Sequence, residues 1–133
     1  MKKVYFLCTG NSCRSQMAEG YGHKFLTGWE VRSAGIEMHG LNSRAVQVMA
    51  EDGIDISSQQ SEFINIEYFN ESDLIVTLCG DVLDKCPMIP KEINHEHWNL
   101  EDPARALGTE VEILEKFRKT RDLIKEQVKL IGK

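Results

Sequence analysis

The chain has 133 residues, of which 41% are hydrophobic and 28% charged, and a formal net charge of -5; that is the size of one ordinary domain, able to bury a core without disulfides or structural metal. The acidic balance excludes a general nucleic-acid binder, because a phosphate backbone selects basic surfaces, and no apolar stretch approaches the length that spans a bilayer. The opening MKKVYFLCTGN carries too short an apolar run for a secretory signal, so a cytoplasmic location is expected, where four cysteines are unsuited to structural disulfides and their spacings do not make C-x2-C zinc pairs.

Residues 4–8 form a short apolar run, partly β-branched and aromatic, with the pattern of a strand buried on both faces. After the loop CTGNSCRS, Met17, Ala18, Tyr21 and Phe25 fall on one helical stripe that ends near Gly28. Strand, loop and helix open a βαβ unit. WEVRSAG reads as a second strand and residues 42–52 as a second helix, with Val46, Met49 and Ala50 facing inward and Gly53 at its C-terminal cap. The stretch 57–70 is the least patterned, and EFINIEYFN within it suits a short helix lying over the sheet. DLIVTLC is a second strongly apolar strand and EHWNL a short fourth one. Thr109 and Glu112 form a capping-box pattern ahead of Leu114, Phe117, Arg121, Ile124, Val128 and Ile131 at helical spacing, which predicts a long amphipathic terminal helix. The expected fold is α/β, one domain over residues 1–133, with a four-stranded parallel sheet and helices on both faces.

The loop between the first strand and the first helix carries the chemistry. Backbone N–H groups that run into a helix N-terminus have no intrahelical partner, and the helix dipole adds positive charge there, so such a loop cradles anions. Gly10 permits close backbone approach, Asn11 tolerates the left-handed conformation, and Arg14 offers a planar fork of donors; with Thr9, Ser12 and Cys13 they suit a tetrahedral oxyanion. The same positive environment favours an anionic sulfur at Cys8, which reads as a nucleophile with the Ser15 hydroxyl as hydrogen-bond donor to it. A cysteine at a strand end is, taken alone, more often a small core residue; the combination of strand, C-x5-R-S, glycine and helix is what points to catalysis.

C-x5-R-S in the first loop of such a chain resembles the low-molecular-weight protein tyrosine phosphatase family. CTGNSCRSQMAEG together with SAGIE, DLIVTLC, CP and EHWNLEDPAR is similar to its redox branch, the thioredoxin-coupled arsenate reductases, over nearly the whole length. The resemblance implies the strand order 2-1-3-4 and the reduction of arsenate, with phosphate or sulfate as competing oxyanions. It also implies thioredoxin as electron donor, no tightly bound cofactor, and Asp102 as the general acid. Cys8 would form an arsenic adduct, Cys79 would attack the Cys8 sulfur, and Cys86 would then attack Cys79, leaving a disulfide for thioredoxin. Parallel strands open at the same end and lie about 4.8 Å apart, within the Cα separation a disulfide tolerates, which suits Cys8 with Cys79. If residues 80–85 were helical, positions 79 and 86 would stand about 10.5 Å apart along the axis, so segment 80–87 must unwind on oxidation.

A phosphatase has no use for Cys79 and Cys86, yet weak phosphatase activity is expected because the cradle and acid are shared. A low-molecular-weight phosphatase is the alternative reading, and an oxyanion-binding or redox-sensing module without turnover a second one. Ala104 stands after the Asp-Pro pair where phosphatase relatives carry an aromatic wall, which favours a small inorganic substrate. Some relatives hold potassium through residues matching Asn11, Glu19 and Ser33, with Glu62 in place of an aspartate; equally, Glu19 reads as a solvated helix residue and Ser33 as a turn residue. A zinc site from Cys79, Cys86, His95 and His97 is disfavoured by its loose spacing. Cys13 reads as filler beneath the loop, His23 and His39 as surface residues without partners, Trp98 and Phe117 as core. A monomer is expected.

Overall fold

Lys2–Cys8 form strand β1, whose last five residues are buried; side chains alternate across a strand, so Val4, Phe6 and Cys8 enter one apolar cluster while Tyr5 and Leu7 enter another. The computed structural model describes residues 1–78 and 88–133; Cys79, Cys86 and the 80–87 segment expected to rearrange lie outside the described residues. Strand β2, Trp29–Gly35, pairs in parallel with β1 from Lys2↔Trp29 to Cys8↔Gly35. On the other side of β1 lies β3, Leu74–Thr77, with Val4 opposite Leu74 and Leu7 opposite Thr77. Strand β4, Asn94–His97, completes a parallel sheet of order β2-β1-β3-β4, as expected.

Helices α1 (Arg14–Phe25), α2 (Ser43–Glu51) and α4 (Glu110–Ile131) supply the cluster on one face. On the opposite face α3, Ile66–Glu71, buries Tyr68 and Phe69 against Tyr5, Leu7 and Ile75, and the rings of Tyr5 and Tyr68 meet edge-on with centroids 4.7 Å apart. This is the helix expected over the sheet from EFINIEYFN. Thr109 and Glu112 make the capping box that starts α4, and Asn42 caps α2 by accepting from the Arg44 and Ala45 amides. Tyr21 donates to Asp52 at 2.8 Å and Lys125 reaches the same carboxylate oxygen at 3.0 Å, which fastens α1 and the end of α2 to α4.

Two elements depart from the sequence reading. The inward stripe of α2 is Ala45, Val48 and Met49, whereas Ala50 is exposed and Val46 half-buried; a stripe drawn through 46 and 50 is out by one position, about 100° of helix rotation. Strand β4 begins two residues before EHWNL, because Asn94 N donates to Asp73 O at 3.2 Å and Trp98 N to Thr77 O at 2.8 Å, bracketing the pairing. All four β4 residues are exposed, so this edge strand shows no apolar alternation; its apolar anchor, Trp98, lies one residue beyond, against Phe6. Among the described residues no helix is long and apolar enough to cross a membrane.

Candidate active site

The loop from Cys8 to Arg14 is shaped from outside by the segment that follows β2. Glu37 N donates to Thr9 O at 2.9 Å, His39 N to Gly10 O at 3.0 Å and Asn42 N to Ser12 O at 3.0 Å. A trans peptide holds its carbonyl and N–H on opposite sides. Three carbonyls bound outward therefore turn the amides of Gly10, Asn11 and Cys13 inward, into the hollow of the loop. Asn11 has φ 46°, the left-handed conformation expected for it. A Cβ at Gly10 would lie 2.2 Å from Nδ1 of the exposed His39 side chain, which would have to move aside.

Asn11 is fully buried and braces the loop from below. Its side-chain oxygen accepts from Glu62 N at 2.9 Å and from Gln16 Nε2 at 3.1 Å, and its backbone oxygen accepts from Ser61 Oγ at 2.6 Å. Its amide nitrogen donates to Ser15 Oγ at 2.8 Å and to Ser33 Oγ at 3.0 Å. The Ser15 oxygen thus accepts from Asn11 and lies 2.8 Å from Cys8 Sγ, a contact in which Ser15 is the donor when the sulfur is a thiolate.

Gly35 packs directly against the loop backbone: a Cβ there would stand 2.7 Å from Thr9 O, 2.8 Å from Asn11 N and 2.8 Å from Glu37 O, all backbone atoms. Gly35→Ala is therefore expected to weaken phosphate binding by at least roughly tenfold, because misplacing binding groups by even an ångström is costly. Titration calorimetry with inorganic phosphate measures this, and wild-type affinity in a folded variant contradicts the account of the loop.

Helix α1 starts at Arg14 with no side chain capping its N-terminus and no acidic residue in its first turn, so nothing on the helix itself neutralises its dipole. Arg14 is 8% exposed. Its Nη1 donates to Leu78 O at 3.1 Å and Leu100 O at 2.9 Å, and Nη2 lies 3.7 Å from the Asp102 carboxylate. The two carbonyls fix the guanidinium plane without neutralising its positive charge. Asp102 caps the short 3-10 turn Pro103–Arg105 by accepting from Ala104 N at 3.0 Å, and faces Arg105 at 3.8 Å. Cys8, Thr9, Gly10, Ser12, Cys13, Arg14 and Asp102 line one crevice of about 1030 Å³ at the C-terminal end of the sheet, where α/β folds bind ligands. Burial, and then the Asp102 charge, push the Cys13 thiol far up, so it stays neutral and serves as packing beneath the loop.

The residues expected to hold potassium satisfy one another instead. Ser33 Oγ donates to Glu19 Oε1 at 2.5 Å and accepts from Asn11, while Glu19 Oε2 is 3.1 Å from His23 Nε2. Glu62 points its carboxylate at Arg32, 3.5 Å away. Among the described residues no buried side-chain oxygen lacks a hydrogen bond, and no three His, Cys, Asp or Glu side chains are placed to hold a metal. Asn11, Ser33 and Glu19 thus lie in one hydrogen-bonded cluster of oxygen-bearing side chains. The expectation that His23 and His39 lack partners is also corrected: His23 meets Glu19, whose hydrogen bond raises the imidazole pKa, and His39 meets Glu37 at 2.5 Å. His95 and His97 both contact Thr77 Oγ1, at 3.0 and 2.8 Å.

Sequence reasoning missed the braces: Gln16, Ser61, His39 and the Leu78 and Leu100 carbonyls. QMAEG contains Gln16 but gives no sign that it reaches back to Asn11, and a backbone carbonyl leaves no trace in a sequence.

The low molecular weight phosphotyrosine protein phosphatase family matches residues 3–132. The chain is 57% identical over 129 residues to the arsenate reductase of Bacillus subtilis (strain 168), covering 96% of this chain and 93% of that protein. It is 53% identical over 133 residues to the arsenate reductase of Oceanobacillus iheyensis, covering 99% and 96%. Among solved structures, an arsenate reductase in the phosphate binding state superimposes with a TM-score of 0.79 at 40% identity, covering 99% of this chain and 97% of that one. The low molecular weight protein tyrosine phosphatase from T. tengcongensis does so with 0.79 at 28% identity, covering 98% of each.

Proposed function

The chain belongs to the low molecular weight phosphotyrosine protein phosphatase family, and on that footing we propose that it reduces arsenate to arsenite through a relay of Cys8, Cys79 and Cys86 regenerated by thioredoxin. The observation that carries the reading is the cradle itself: inward-turned loop amides, an anchored Arg14, and a Cys8 sulfur 2.8 Å from the Ser15 hydroxyl. Its relatives at 57% and 53% identity bear the name of that activity.

In the proposed cycle the Cys8 thiolate attacks arsenic(V), an As–O bond breaks, and Asp102 supplies a proton so that the oxygen leaves as water. The Cys79 thiolate then attacks the Cys8 sulfur. A Cys8–Cys79 disulfide forms, the S–As bond breaks, and its electron pair stays on arsenic, which departs as arsenite in the +3 state. Cys86 attacks Cys79, releases Cys8 as thiolate and leaves a Cys79–Cys86 disulfide. A thioredoxin dithiol reduces that bond by exchange and is itself oxidised. Supporting the first disulfide, Leu78 N donates to Leu7 O at 2.9 Å, so positions 8 and 79 each follow a residue of one cross-strand hydrogen bond.

The cradle and Asp102 also suffice for slow hydrolysis of an aryl phosphate, without the other two thiols. The residue after Pro103 is the exposed Ala104, which provides no aromatic wall for a ring. A cytoplasmic, monomeric enzyme with phosphate and sulfate as competitors completes the reading. With arsenate, thioredoxin, its reductase and NADPH, the protein is expected to oxidise one NADPH per arsenite formed; NADPH loss no faster than in the protein-free control overturns it.

A further inference from the structure

The crevice that holds Cys8 is cationic although the chain is acidic. Among the described residues Arg14, Arg105, Lys116 and Lys119 line it against two carboxylates, Glu101 and Asp102, in a chain with 16 Lys and Arg residues and 21 Asp and Glu residues. Asp102 stands between two guanidiniums, 3.7 Å from Arg14 and 3.8 Å from Arg105. Lys116 and Lys119 are three apart on α4, which puts both exposed side chains on one face of the helix. At about 1030 Å³ the crevice has the size that holds a drug-sized ligand rather than one tetrahedral oxyanion, which leaves room for an anion to enter along the α4 wall.

Ion pairing along α4 sets these two lysines apart. Arg118 meets Glu51 at 2.8 Å, Arg121 meets Glu51 at 3.1 Å, Lys125 meets Asp52 at 3.0 Å and Lys129 meets Glu126 at 3.9 Å. Those are the other basic residues of the helix; Lys116 and Lys119 meet no carboxylate among the described residues. Their natural partners are taken. Glu112, four positions before Lys116, accepts from Thr109 N in the capping box, and Glu115, four before Lys119, pairs with Arg118. The charge of both lysines is left to act on the crevice.

We propose that Lys116 and Lys119 form an electrostatic guide that raises the local concentration of oxyanions at Cys8 and so speeds their capture by the cradle. The inference rests on Cys8 being the nucleophile of the proposed reaction. An acidic chain repels anions at long range, and a cleft lined by cations reverses this locally. One charge about 10 Å away in water changes the local concentration of a monovalent anion by about twofold at low salt, and acts twice as strongly in free energy on a dianion.

The test sets two alkylating agents of similar size against the same sulfur: iodoacetate, an anion, and iodoacetamide, which is neutral. Both react with the thiolate, so its ionised fraction cancels in the ratio of their rates, and the result does not depend on whether arsenate is the substrate. Peptide mass spectrometry reads Cys8 apart from the other cysteines. At about 10 mM ionic strength, Lys116→Gln/Lys119→Gln is expected to lower the iodoacetate-to-iodoacetamide ratio by roughly two- to fivefold, and the difference should vanish near 1 M salt, where the Debye length is about 3 Å. Lys116→Arg/Lys119→Arg keeps both charges and should keep the ratio. Lys2→Gln/Lys91→Gln removes two exposed cations from the other end of the sheet, where Lys2 opens β1 and Lys91 precedes β4, and should leave the ratio unchanged. An unaltered ratio in the Lys116→Gln/Lys119→Gln protein, an equal loss in the Lys2→Gln/Lys91→Gln protein, a failure of arginine to keep the ratio, or a loss that persists at 1 M salt each overturns the proposal.

Discussion

Cys8→Ser is expected to abolish arsenate reduction and aryl phosphate hydrolysis together, each by at least about 10³-fold, while inorganic phosphate still binds within a few-fold of wild type. The two losses share one cause. A serine hydroxyl remains neutral where a cysteine sulfur carries the attacking electron pair, and even the dipole of α1 and Arg14 cannot make it a comparable nucleophile. Binding survives because the oxyanion is held by groups other than the sulfur. The loop amides are fixed by carbonyl bonds to Glu37, His39 and Asn42, and Arg14 by the Leu78 and Leu100 carbonyls, none of which involves Cys8. Calorimetry with phosphate, beside NADPH-coupled reduction and hydrolysis of an aryl phosphate, measures all three quantities on one preparation. Retained reduction would falsify the assignment of the nucleophile, and lost phosphate binding would show that the sulfur is also structural.

The fold and the cradle were legible because each rests on a local pattern. Val4 to Leu7 and Leu74 to Thr77 are buried throughout, and such continuous apolar runs mark central parallel strands. Thr109 with Glu112 marks a helix start by chemistry that acts over four residues. Asn11 was legible for a similar reason: few side chains tolerate φ 46°. Where the reading slipped, the determining contacts are distant in sequence. Strand β4 is positioned by bonds from Asn94 and Trp98 to the backbone at Asp73 and Thr77, and by His95 and His97 against Thr77 Oγ1, rather than by an apolar face of its own.

The unpatterned stretch after α2 shows the same limit more strongly. Ser61 Oγ and Glu62 N both end on Asn11, fifty residues back, and Gln59 Nε2 donates to the Gln16 side chain at 2.8 Å. Its conformation answers to the loop it supports, so no periodicity appears. His23 illustrates the complementary case. Glu19 and His23 stand four apart on α1, a spacing that pairs side chains on any helix, and an ordinary surface pair looks identical in sequence to one that ends a buried chain of donors. Only the positions of Ser33 and Asn11, brought in from β2 and the loop, tell the two apart.

Cys79→Ser separates the reading as a reductase from the reading as a hydrolase, and is expected to remove reduction by at least about 10³-fold while hydrolysis stays within about twofold of wild type. Hydrolysis needs the Cys8 sulfur, the cradle and a proton donor; water completes it. Reduction needs a second sulfur, since arsenic leaves in the +3 state only when the electron pair of the S–As bond stays on it, and that requires another atom to take over the Cys8 sulfur. A serine oxygen does not form that bond. The sheet gives the distance argument: β1 and β3 are parallel neighbours, Leu7 O holds Leu78 N, and Arg14 binds Leu78 O, so the chain is fastened to the site one residue before position 79. The Cys79→Ser enzyme, given arsenate in stoichiometric amount and no thioredoxin, should lose reactivity of Cys8 toward iodoacetamide yet release no arsenite. Cys86→Ser should instead complete one reduction, release one arsenite per protein and stall as a Cys8–Cys79 disulfide. Peptide mapping under non-reducing conditions reads that bond; multiple turnovers by either variant would mean that the electrons reach arsenic by another route.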